Sequence, residues 1–276
     1  MQLPTMTAIV HPAVGAPPEA TVLAIEGGPL ECASWTGWRD APAVLLLHEG
    51  LGAVSTWRDV PGRLRTATRR RIIAYSRAGY GRSAPAALPR PVSFMHDEAA
   101  DVLPRVLDAL ALPRVTLLGH SDGASIALLY AAAHPERVEA LVLEAPHVFV
   151  EDLSVASIAR MREIYAATDL RDRLARHHGA NVDVAFRGWN DVWLDPAFRA
   201  WNIEACLPAV RCPVLILQGT DDEYGTLRQV EAIERQAGGP VEVHVLDRCG
   251  HAPHRDRADV FYALVARFLG RDYTEG

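Results

Sequence analysis

The chain contains no lysine: all 28 of its basic residues are arginine, set against 34 aspartates and glutamates, for a formal net charge of −6. Without an excess of positive charge, or a basic run interleaved with aromatics, the sequence has no footprint for a phosphate backbone, and nucleic acid is not an expected partner. The missing lysine, together with abundant alanine, reads as codon bias of a GC-rich genome and carries no functional inference. Cysteine is scarce. The four present (Cys32, Cys206, Cys212, Cys249) form no CxxC pair and have no histidine at zinc-ligand spacing, so neither a disulfide framework nor a structural metal is expected. A reducing, cytoplasmic setting follows. Long apolar runs are absent too: the uncharged stretch from Gly123 to Pro135 is too short to span a bilayer. The uncharged Met1 to Pro18 lacks a basic start, and Pro4, Pro12, Pro17 and Pro18 would break a signal-peptide helix. No membrane partner is expected.

At 276 residues and 49% hydrophobic, the chain is long and apolar enough to bury a core that offsets the entropy of ordering it. Short runs rich in Val, Ile and Leu alternate with longer helical patterns, which predicts βαβ units around a mostly parallel sheet covered on both faces. The strand runs are Ala43 to Leu47, Arg71 to Tyr75, Val115 to Leu118, Ala140 to Leu143, Pro213 to Leu217 and Val241 to Leu246. Thr21 to Ile25 and Glu31 to Thr36 flank a turn containing Gly27-Gly28 and read as an edge hairpin, making about eight strands. Apolar spacing predicts helices over Met95 to Leu112, Ala124 to His134, Leu227 to Gln236 and Ala258 to Leu269, with Pro104 kinking or breaking the first. Strand signals vanish between 148 and 210, where Trp189, Trp193 and Trp201 appear among the helical segments Arg187 to Trp193 and Pro196 to Asn202. The expected organisation is therefore an α/β core over residues 20–147 and 211–276, with residues 148–210 inserted as a helical cap packed on it as one unit.

Gly119-His120-Ser121-Asp122-Gly123 follows an apolar run and opens a helical one, giving strand, tight turn and helix. A serine at such a turn needs small residues two places before and after it, and the turn lifts its hydroxyl above the sheet. The helix N-terminus beneath favours a developing oxyanion. A serine hydroxyl needs a base within hydrogen-bond reach, and the base needs an orienting acid. Carboxylates occur at the end of one strand run, in Gly219-Thr220-Asp221-Asp222-Glu223, and a histidine at the end of the next, in Asp247-Arg248-Cys249-Gly250-His251. Strand ends are where open α/β sheets build their sites.

With these residues in place, the sequence resembles α/β-hydrolase-fold serine hydrolases of the esterase-like kind with a helical cap, over about Thr21 to Leu269. The resemblance implies a triad of Ser121, Asp222 and His251. It prefers Asp222 to Asp221 because the family's acid usually lies three residues after the glycine of a G-x-x-D turn, and it matches Gly250-His251 to the family's G-H base. One oxyanion donor would be the N–H of Asp122. The other lies in His48-Glu49-Gly50-Leu51-Gly52, similar to the family's H-G-G-P-G or H-G-x-G loop; the first alignment makes it Gly50 and the second a neighbour. Glu49 departs from the usual glycine and is expected either to point toward Arg77 or Arg82 or to be solvated. The loop Ser76 to Ser83 resembles the family's D-x-x-G-x-G-x-S turn, with serine for the usual aspartate, and is read as structural support. The pocket is expected to include Glu49, Leu51, His120, Trp189 and Trp193, while His120 and His254 otherwise pack or make local hydrogen bonds. Phe186, Phe198 and Trp201 either extend an aromatic pocket or bury the insertion against the core.

The resemblance implies hydrolysis of a small-molecule carboxylic ester through an acyl-enzyme, with no metal or organic cofactor. If Asp122 and Glu49 both face the pocket, anionic substrates should bind poorly. Cleavage of C–C bonds, lactones or N-terminal peptide bonds are alternatives within the fold, and a ligand-binding receptor with negligible turnover is the alternative outside it. Dehalogenase and epoxide-hydrolase chemistry, which needs an aspartate nucleophile, is disfavoured by Ser121. A homodimer through the cap or an edge strand is expected.

Overall fold

The computed structural model describes residues 18–270; the Met1 to Pro17 part of the leader reading, and residues 271–276 of the expected core, lie outside the described residues. Eight strands form one sheet: β1 (Glu19–Ile25), β2 (Gly28–Trp35), β3 (Ala43–Leu47), β4 (Ile72–Tyr75), β5 (Val115–His120), β6 (Val138–Glu144), β7 (Val214–Gly219) and β8 (Val241–Leu246). They lie in the order β1-β2-β4-β3-β5-β6-β7-β8. β1 and β2 pair antiparallel, with Ile25 opposite Gly28, as the edge hairpin, and β2 pairs antiparallel to β4; every later pairing is parallel. Every residue of β3, β4, β5 and β7 is buried, as continuous runs of Val, Leu, Ile and Ala require for strands covered on both faces.

Alternate side chains divide the core in two. Leu45, Leu47, Leu117, Leu141 and Ile216 face one apolar cluster, and Val44, Leu46, Leu118, Val142, Leu215 and Leu217 face the other. The second is closed by the helices α1 (Val60–Thr68) and, from the far end of the chain, Ala258–Leu269, through Leu64, Phe261, Val265 and Phe268. The first is closed by α2 (Phe94–Asp97), α3 (Leu103–Ala109) and α4 (Asp122–Ala133).

Pro104 does not break its helix. The turn just before it, Glu98–Val102, is wound as a π-helix, and α3 resumes with Pro104 near its N-terminus. The widened turn is the local adjustment that accommodates a residue lacking an N–H.

Between β6 and β7 the chain is helical: α5 (Asp152–Ala167), α6 (Leu170–His178) and α7 (Val182–Trp193). The two ends of this excursion are tied, Phe149 bridging Asn202 and the Ile203 N–H donating to the Val148 carbonyl at 2.8 Å. Phe198 and Trp201 stack with ring centroids 5.4 Å apart, Trp193 meets Phe198 at 5.0 Å, and all three join the core cluster. The remaining helices are α8 (Leu227–Gln236), α9 (Pro253–Asp256) and α10 (Ala258–Leu269). Among the described residues no helix is long and apolar enough to cross a membrane.

Because β3 and β5 to β8 run parallel, the segments following Leu47, His120, Glu144, Gly219 and Leu246 all emerge on one rim. The chemistry-bearing residues collect there.

Candidate active site

Ser121 sits between β5 and α4 with φ 54° and ψ −118°, in the positive-φ region that non-glycine residues rarely occupy. A Cβ on Gly119 would stand 2.4 Å from the Gly123 carbonyl oxygen, and one on Gly123 would stand 2.0 Å from that of Leu47. Both glycines are thus required by close backbone approach. The Ser121 N–H donates to the Glu144 carbonyl at 2.9 Å, tying the turn to the end of β6. The Ser121 side chain makes no capping hydrogen bond to α4.

Asp222 and His251 meet across the rim: His251 Nδ1 lies 2.8 Å and 2.9 Å from the two carboxylate oxygens. Gln218 Nε2 and the backbone N–H groups of Tyr224 and Gly225 also donate to Asp222. Burial pushes the Asp222 carboxyl up, but the His251 contact and the Tyr224 N–H outweigh it and hold it near 2. For His251, burial lowers the pKa and Asp222 more than restores it, so the net shift is upward. Asp221 is exposed, its carboxylate accepting from Thr220 Oγ1, and it takes no part in this pairing.

The loop carrying His251 is braced from behind. His120 Nε2 lies 2.7 Å from the His251 carbonyl oxygen. Glu144, fully buried at the end of β6, accepts from the His254 N–H at 2.7 Å and lies 3.0 Å from His254 Nδ1. His254 therefore makes the local hydrogen bonds expected of it.

After β3, His48 donates through Nδ1 to the Glu49 carbonyl, and its Nε2 accepts from the Arg77 N–H. Arg77, buried, donates to the carbonyls of His48 and Glu49. The Ser76 to Ser83 loop thus supports the backbone of the loop that carries Gly50. Arg77 grips the Glu49 backbone and not its carboxylate, which belongs to a side chain 30% exposed and lies 3.9 Å from His120 Nδ1. The guanidinium Nη1 and Nη2 are taken by these carbonyls, while its Nε has no partner among the described residues.

Ser121, His251, Glu49, Gly50, Leu51, Asp122, Trp189 and Trp193 line a single cavity of about 150 Å³. His120 is not among its walls; it faces the adjoining cleft, because its ring is turned to the His251 carbonyl. Phe186, Phe198 and Trp201 are buried in the core. A Cβ on Gly50 would lie 2.1 Å from the Trp189 indole, so α7 and the β3 loop meet at the cavity with no room for a side chain.

Comparison with known proteins decides the family: the sequence profile of the alpha/beta hydrolase family matches residues 44–264. The chain is an α/β hydrolase. It is 28% identical over 236 residues to human serine hydrolase BPHL, covering 82% of this chain and 79% of the relative. It is 29% identical over 252 residues to the 2-hydroxymuconate semialdehyde hydrolase of Pseudomonas sp. strain CF600, covering 82% and 86%. Among solved structures, the 2-hydroxy-6-oxo-6-phenylhexa-2,4-dienoate hydrolase of Rhodococcus sp. strain RHA1 superposes with a TM-score of 0.73 at 20% identity, covering 92% of this chain and all of that one, a likeness of fold.

Four walls of the hydrolase's cavity escaped the sequence reading: His147, Ser154, Ile158 and Tyr224. His147 follows β6, and burial drives its pKa down to about 3, so it is a neutral imidazole packed 5.7 Å from the His251 ring and 5.3 Å from Trp193. The one available signal was its position just past a strand end on the active rim.

Asp122 stands in the first turn of α4. It is wholly buried, accepts from Trp193 Nε1 at 3.1 Å, and leaves Oδ2 without a partner among the described residues. Burial raises its pKa from 3.8 to about 6. An acid whose folded pKa lies above its unfolded value costs nothing while both states are protonated; the cost grows as pH rises from 3.8 and is complete above 6. Asp122→Asn should therefore stabilise the hydrolase by on the order of 3 kcal/mol at about pH 8, with the gain shrinking toward zero as pH falls through about 4. Urea unfolding at the two pH values measures it, and equal effects at both would refute this account.

Proposed function

We propose that this α/β hydrolase is a serine hydrolase that cleaves small, uncharged carboxylic esters through a Ser121–His251–Asp222 triad. The observation that carries the reading is the bidentate contact of His251 Nδ1 with Asp222 beside a serine on a strained strand-to-helix turn, over a shared cavity. Asp222 fixes the tautomer that leaves the Nε2 lone pair free. No hydrogen bond joins the Ser121 hydroxyl to His251 among the described residues, and such bonds commonly tighten only with substrate bound.

In the cycle, Ser121 Oγ attacks the carbonyl carbon while its proton passes to His251 Nε2. The oxyanion is held by the N–H groups of Asp122 and Gly50, and collapse of the intermediate expels the alcohol, which takes the proton from His251. Water, deprotonated by the same nitrogen, then releases the acid and restores Ser121. Residues 148–210 act as a cap over the core, with Trp189 and Trp193 of α7 as its contribution to the cavity. At about 150 Å³ the cavity is about half the size at which ligand pockets usually begin, which favours a short acyl group. Asp122 and Glu49 in its walls disfavour anionic ones. A C–C hydrolase is the second reading, favoured by the similarity to 2-hydroxymuconate semialdehyde hydrolase.

Nitrophenyl acetate should be turned over faster than nitrophenyl octanoate, and a fluorophosphonate probe should label Ser121, as read by peptide mass spectrometry. Labelling without ester turnover would move the C–C reading to the front, and absence of both would overturn the serine-hydrolase reading.

A further inference from the structure

Behind the His251 loop, one imidazole nitrogen has no partner. His120 Nε2 is 2.7 Å from the His251 carbonyl oxygen, and a carbonyl oxygen only accepts, so Nε2 carries the ring proton. His120 Nδ1 is then a bare lone pair. It has no partner among the described residues, in a side chain only 6% exposed. A ring nitrogen whose opposite N–H is given to a backbone carbonyl is oriented as metal-binding histidines are.

Two further ligand groups lie beside this ring. Glu144 and His254 each offer an atom that, with one from His120, lies within 4.8 Å of the others. The rings of His120 and His254 meet edge to face at 5.4 Å. A cleft of about 580 Å³, lined by both histidines and by Glu49, gives an ion a path in from solvent. Glu49 Oε2 lies 3.9 Å from His120 Nδ1, at the edge of this cleft. Two imidazoles and a carboxylate with one position left open form a donor set suited to Zn²⁺ and Co²⁺.

We infer that His120, Glu144 and His254 form a binding site for a divalent transition-metal ion, and that filling it restrains the loop carrying His251. On binding, the ion takes the His120 Nδ1 lone pair, a Glu144 oxygen and a His254 ring nitrogen. The proton now shared between His254 Nδ1 and Glu144 moves to His254 Nε2 or to solvent. The ligand atoms must draw closer than 4.8 Å to meet one ion, and both histidines are coupled to the loop, His254 through the chain and His120 through the His251 carbonyl. The ion lies outside the proposed reaction, and its binding is independent of whether Ser121 is a nucleophile.

The test is a Co²⁺ titration of the chelator-treated full chain, followed by visible absorption. Bands should saturate at about one ion per chain, vanish on adding Zn²⁺, and be lost in both His120→Asn and His254→Gln variants, whose folding is checked by circular dichroism. Absence of bands in the wild type, or bands retained in both folded variants, overturns the site. Crystals of the wild type soaked in Zn²⁺ test it without any variant: an anomalous peak among the three residues supports it, and a peak only elsewhere, or none, refutes it.

Discussion

Ser121→Ala should lower kcat on nitrophenyl acetate by roughly three orders of magnitude or more, the scale seen when a member of such a triad is removed. The substitution deletes only the hydroxyl. Alanine has the same Cβ as serine, so the strain at φ 54° neither rises nor falls, and the glycines that make room for the turn are untouched. Because the hydroxyl caps no helix and donates to no described residue, the unfolding midpoint should move little. A large loss of rate at unchanged stability therefore isolates chemistry from folding. What remains should be the modest acceleration due to the N–H donors and the cavity. A variant within tenfold of wild type would place the nucleophile elsewhere.

Asp222→Asn should have a comparable effect, a fall of roughly 10⁴ in kcat, for a different reason. The Asp222 carboxylate only accepts: from His251 Nδ1–H, from Gln218 Nε2 and from the N–H groups of Tyr224 and Gly225. An asparagine must turn its NH₂ toward one of these donors. With the Tyr224 and Gly225 donors claiming Oδ1, the NH₂ faces either Gln218 or His251, and in the second case it reverses the imidazole tautomer and blocks Nε2 as a base. The pH profile carries the sign. His251 must be neutral to take the Ser121 proton, and Asp222 raises its pKa against the lowering effect of burial. Activity of the wild type should thus rise with pH through that raised value, and in Asp222→Asn the residual activity should rise at lower pH. A loss of rate with the acidic limb unmoved would mean that Asp222 does not act through His251.

Much of this was legible before any coordinates. The strands Ala43–Leu47 and Val241–Leu246 and the helices Leu227–Gln236 and Ala258–Leu269 begin and end where their apolar spacing predicts, since burial on a sheet or along a helix stripe imposes that spacing locally. Other strand ends ran past their apolar runs, β5 to His120 and β7 to Gly219, because sheet pairing continues through residues that are not themselves hydrophobic. The helix over Pro104 held because a π turn absorbed the proline, an adjustment that no residue pattern announces.

The sequence by itself determined the order of elements, the serine at a glycine-flanked turn, and an acid and a histidine beyond later strand ends. Each depends on residues close together in the chain, where sterics and periodicity act directly. Only the tertiary structure decided that His251 meets Asp222 and leaves Asp221 in solvent, that His147 and Tyr224 wall the cavity, that the Glu49 carboxylate stands near His120, and that Glu144 reaches His254. Glu144 and His254 are 110 residues apart in the chain. Such contacts are set by how parallel strands bring their ends to one rim and by which buried polar groups find partners there, and neither leaves a local trace in the sequence.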